Sequence, residues 1–165
     1  SRKNILTLPV KCIRKDAWLG EGYYYWHDLF DAEKWGLDAK RSTGFFEIYT
    51  SEIEYENILD AVFNEDHYFF WLSQIEKVAS IFNQKTQLKP SIKELNDYFK
   101  EKGIWAEVDG IQFQDLPVAP TLNLVQPIKN YPRPTYFLYR KRIQLVVFNN
   151  KIILNFTLLR KGQCI

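Results

Sequence analysis

The sequence predicts an α+β domain with a mainly antiparallel sheet, and three observations carry that reading. One long segment, Asn64–Asn83, has a clear helical period. Several short β-rich runs, bounded by turn residues, lie on either side of it. The 165 residues are 46% hydrophobic and 25% charged, which suits one packed core rather than a disordered or fibrous chain. Residues 1–165 are therefore read as a single domain.

In chain order, Ile5–Ile13 reads as a strand or an extended lead-in broken by Pro9. Gly22–Trp26 is a short aromatic strand after a Gly20–Gly22 turn. Asp28 is a good N-cap, and Leu29, Phe30, Ala32, Trp35 and Leu37 fit a short helix whose end Gly36 weakens. Phe45–Ile53 alternates in part and reads as a strand, with Glu52, Glu54 and Glu56 on its solvated side. In Asn64–Asn83, Phe70, Leu72, Ile75, Val78, Ala79 and Phe82 recur at i, i+3, i+4 spacing. Ser91 and Glu94 form a capping box after Pro90, so a helix is expected to about Lys102, stopping at Gly103. Ile104–Val108, Asp109-Gly110 and Ile111–Phe113 read as a hairpin with a type I′ turn. Residues 114–134 hold five of the seven prolines and read as a long loop. Arg142–Phe148 and Lys151–Leu158 are strands joined by Asn149-Asn150.

Charge divides the chain. Residues 1–115 carry 14 Lys and Arg against all 20 acids, a net of 14 − 20 = −6, and residues 116–165 carry eight basic residues and no acid. Such a block fits either a surface for an anionic partner or a basic half packed beside an acidic one. The longest apolar run falls far short of the roughly 20 residues of a membrane span. Cys12 and Cys164 lie near opposite ends with no metal-ligand spacing, and His27 and His67 are the only histidines. Those counts argue against a metal centre and place the protein in a reducing cytoplasm. The chain contains no Met, so Ser1 is read as an internal start or a tag remnant.

The stretch "WLGEGYYYWHDLFDAEKWG" at 18–36 concentrates the chemistry. Glycine at 20 and 22 permits positive φ and close backbone approach. The tyrosines behind it offer flat faces for a planar ring. A strand follows and not a helix, so this is no dinucleotide fingerprint of the Rossmann kind. His27 reads as a solvent-edge residue near such a site, His67 as structural, and Trp18 and Trp35 as packing for the aromatic segment.

This stretch resembles the Gly-x-Gly-x-Tyr-Phe segment of ADP-ribosyltransferases of the poly(ADP-ribose) polymerase and diphtheria-toxin type, and is similar in pattern to compact bacterial relatives. Gly20, Gly22, Tyr24 and Tyr25 match in order, with Ala32 and Trp35 after them. "YENILDA" at 55–61 and "KRIQLVVFNNKII" at 141–153 resemble two later motifs of those relatives. The resemblance implies a split antiparallel sheet clasping NAD as a substrate, with no metal. Gly20, Gly22, Tyr24 and Tyr25 would bind it, and Tyr24 would stack on nicotinamide. Gln144 stands where the family has its catalytic glutamate. An amide orients a ribose hydroxyl but cannot carry a carboxylate's charge to an oxocarbenium-like transition state. The family's His-Gly-Thr motif is not in this sequence: either it precedes Ser1, or Arg2 or Arg14 serves instead. A rival branch of the fold uses Arg then Ser-Thr before a strand, as Arg41, Ser42 and Thr43 do, but its late Glu-x-Glu has no counterpart here.

The segment "YPRPTYFLYRKR" at 131–142 interleaves Arg133, Arg140 and Arg142 with aromatics, a pattern that suits phosphates and unstacked bases. In the resembling family this loop chooses the target. The expectation is a mono-ADP-ribosyltransferase, a bacterial toxin or anti-phage effector acting on a nucleic acid or protein and held by an antitoxin. The alternative is an inactive module of the same fold that holds a nucleotide or RNA.

Overall fold

The computed structural model describes residues 5–39, 42–115 and 142–164. Arg133, Arg140 and the loop expected beyond Asp115 lie outside them. The described residues form a mixed α+β fold with two separate sheets. In chain order the elements are β1 (Tyr23–Trp26), α1 (Leu29–Ala39), β2 (Phe45–Ile53), β3 (Ile58–Asp60), α2 (Glu65–Thr86), α3 (Ile92–Glu101), β4 (Gly110–Asp115), β5 (Arg142–Val147) and β6 (Ile153–Gln163), with a 3₁₀ turn at Asn150–Ile152.

The four-stranded sheet runs β1-β5-β4-β3, and β2 and β6 form a separate antiparallel ribbon. Only β3 and β4 pair in parallel, which requires a crossover, and α2 and α3 supply it. Strand alternation sends side chains to two cores. Leu59, Ile111 and Val146 meet Trp71, Val78, Leu95 and Phe99 beneath the helices. Ile58, Leu145 and Val147 face the other way, against Ile152, Tyr23 and Tyr25.

The capping box forms as read: the Ser91 hydroxyl accepts from Glu94 N–H, and the Glu94 carboxylate accepts from Ser91 N–H. Helix α2 outlasts its expected end because a left-handed Gln87, φ 57°, terminates it rather than a glycine or proline. The expected 104–113 hairpin does not form. Trp105 is buried and stacks on Phe99 at 4.9 Å, which draws residues 104–108 under α3 as turns. Asp109 instead ties strand ends together: its carbonyl accepts from Phe148 N–H at 2.7 Å, and its own N–H donates to Asn57 O at 3.0 Å. The Ile5–Ile13 strand is likewise absent apart from a bridge between Cys12 and Gly22. Phe46 locks α1 to the ribbon, because its ring lies where a Cβ at Gly36 or Gly162 would stand.

Candidate functional site

A cleft of about 720 Å³ opens along β1, between the four-stranded sheet and the ribbon. It falls within the usual size range of small-molecule sites. Strand β1 stands at one edge of the described four-stranded sheet, and all four of its residues line the cleft. Helix α1 contributes Trp35, the ribbon contributes Tyr49 and Phe156, and an N-terminal strap contributes Val10 and Arg14. The strap is anchored to the far wall, since Leu6 N–H donates to the Tyr49 hydroxyl at 3.1 Å. That wall is itself aromatic: Tyr49 and Phe156 stack at 4.8 Å, a pairing that only the β2–β6 register creates.

The structure brings Tyr24, Tyr25 and Gln144 to this one cleft. Gln144 sits on β5 directly opposite Trp26 of β1 and Phe113 of β4. Register partners share a sheet face, so Gln144 stands on the side that also carries Tyr24. Tyr24 is tethered at both valences of its hydroxyl: it accepts from Leu19 N–H at 3.1 Å and donates to Gly20 O at 2.8 Å. Burial pushes its pKa up to about 12, against the lowering effect of the Leu19 N–H. Tyr25 points to the opposite face and joins the two sheets, its hydroxyl 3.2 Å from Ser51 Oγ. Burial raises its pKa as well.

The glycines meet a need of the protein's own packing. A Cβ on Gly22 would lie 2.5 Å from Val146 Cγ2 and 2.7 Å from Val147 O, so the backbone brought close is that of β5. Gly20 has φ +97°, and a Cβ there would lie 2.9 Å from Asp97 Oδ1 on α3. Neither glycine lines the cleft; they place Tyr24, which does.

Arg142 is also committed within the fold. Its guanidinium pairs with Asp115, its register partner on β4, and lies 4.9 Å from the Trp26 ring centroid. Both partners restrict it at the start of β5, where the expectation was target binding. Arg14 lines the cleft in an exposed pair with Asp16 at 3.4 Å. His27 is exposed at the cleft edge, as read. His67 serves structure, its Nδ1 accepting from Asp60 N–H at 3.1 Å. Trp35 stays 41% exposed rather than packed away. Trp18 packs edge-on to Phe113, as a packing residue should, but its indole N–H also donates to Gln144 Oε1 at 2.8 Å. Nothing local in the sequence signals that bond, which joins residues far apart in the chain.

Among the described residues, no helix is long and apolar enough to cross a membrane. No protein-family model, curated protein or solved structure matches the chain.

Proposed function

We propose that this protein is an ADP-ribosyltransferase that takes NAD into the aromatic cleft. One observation carries the reading. Gln144, far from the aromatic stretch in sequence, lines the same cleft as Tyr24 and Tyr25 on the strand beside them. Tyr24 suits the nicotinamide ring because its doubly bonded hydroxyl fixes the ring as a preorganised platform. Gln144 orients the ribose through its amide. Arg14 supplies the positive charge that a diphosphate needs.

As the glycosidic bond loosens, positive charge grows on the ribose. A neutral amide carries no negative charge to offset it, so turnover is slow and polymer elongation is not expected. The acceptor, a nucleic acid or a protein, then attacks the anomeric carbon, and water gives hydrolysis in its absence. The assay is nicotinamide release from NAD by the wild-type chain beside Tyr24→Ala and Gln144→Ala. Release that both variants abolish supports the reading; release unaffected by either removes it.

A second reading rests on the Trp18 bond. Because it occupies Gln144 Oε1, that oxygen is already satisfied by the protein, which favours a module that binds the nucleotide without turning it over. Saturable NAD binding without nicotinamide release would select this reading.

A further inference from the structure

We infer that Trp18 is a positioning residue that sets the polarity of the cleft: it holds the Gln144 amide with its NH₂ group toward the ligand, so the ligand group met there is a hydrogen-bond acceptor. The ligand half of this inference rests on the NAD reading above; the positioning half does not.

An amide's oxygen and nitrogen are told apart only by their partners. An indole N–H is a donor and never an acceptor. With Trp18 Nε1 at 2.8 Å, the atom of Gln144 that faces Trp18 must be the oxygen. Trp18 is itself fixed, edge-on to Phe113 at 5.7 Å between centroids, and Phe113 is the register partner of Gln144. The amide is thus held at one end by a ring that the sheet holds in place.

Gln144 Nε2 then carries two hydrogens, and among the described residues it has no hydrogen-bond partner. This part of the cleft therefore offers donors to oxygen-rich ligands. In NAD the matching groups are ribose oxygens and the carboxamide carbonyl. A ligand presenting an ammonium or ring N–H there would meet donor against donor.

The test is a double-mutant cycle on NAD affinity with Trp18→Phe, Gln144→Ala and the pair, each checked for native melting. Trp18→Phe keeps a ring against Phe113 and removes the donor together with part of the indole's bulk, a packing loss that is the same in both backgrounds. If Trp18 acts through Gln144, Trp18→Phe weakens NAD binding about 5-fold more in the wild-type background than once Gln144 is alanine. Equal effects in both backgrounds would overturn the inference, since a purely structural role is additive. Should the wild type not bind NAD, the function proposed above fails, and hydrogen exchange of the Trp18 indole decides the positioning. An indole proton that exchanges about 10-fold faster in Gln144→Ala supports it; an unchanged rate overturns it.

Discussion

Trp71, on α2, and Trp105, just after α3, lie in the helix-covered core, whereas Trp18, Trp26 and Trp35 line the cleft. All five are large amphipathic rings, yet the two groups are held differently. The core pair are 4% and 3% exposed and contact other rings, Trp71 on Phe113 and Trp105 on Phe99. Their indole N–H groups are buried with no partner among the described residues. The core thus uses them for bulk and forgoes a hydrogen bond at each, a loss that dense packing must outweigh. In the cleft, polar handles are used at three rings: Trp18 on Gln144, Tyr24 on Gly20 and Tyr25 on Ser51. Rings kept for bulk tolerate little change in volume, while rings with a fixed tip and a free face can hold a ligand.

The contrast is broken most strongly in the core. Phe99→Ala, at a fully buried position, should cost about 3–5 kcal/mol of unfolding free energy in urea titration. Leu159→Ala, at a half-exposed position on β6, should stay within about 0.5 kcal/mol. Comparable losses would mean that the ribbon, and not the helix-covered face, carries stability.

Gly22→Ala should come next, at about 1–3 kcal/mol, because the added methyl collides with Val146 and the Val147 carbonyl. The collision pushes β1 from β5, so the same variant should also weaken the alignment of Tyr24 with Gln144.

Within the cleft, Tyr24→Ala should reduce NAD affinity by about 1–3 kcal/mol, by analogy with base–aromatic stacking, and by more than Tyr25→Ala does. Tyr24 shares its face with Gln144, while Tyr25 faces the ribbon. Equal losses in calorimetry would place the ligand across both faces of β1.

The smallest effect is a pH dependence. Tyr24 is protonated in both states below its ordinary pKa near 10, so its contribution is complete there. Between about 10 and 12 the unfolded chain ionises first, and stability falls. Tyr24→Phe should show a shallower fall across that window in denaturant titrations, with little difference at pH 7 beyond the lost hydrogen bonds.

Local signals in the sequence explain which parts of this were legible. The capping box at Ser91, the long period of α2 and the aromatic strand behind Gly22 are short-range patterns, and each formed. The Asp109-Gly110 pair carried an equally good hairpin signal, but burial of Trp105 and the parallel pairing of β3 with β4 overrode it. At three residues, β3 is too short to announce itself. The convergence of Gln144 on Tyr24 was implied only by resemblance. The bond from Trp18, the Tyr49–Phe156 wall and the Asp115 partner of Arg142 depend on strand register, which no local pattern reports.

The two tryptophan groups also supply the most direct test of the account's central claim, that the cleft receives NAD. The five indole N–H resonances of the ¹⁵N-labelled chain can be followed while NAD is titrated. The account predicts saturable shifts at Trp18, Trp26 and Trp35, with Trp71 and Trp105 unmoved. Five unmoved resonances at millimolar NAD, or shifts confined to Trp71 and Trp105, would contradict it.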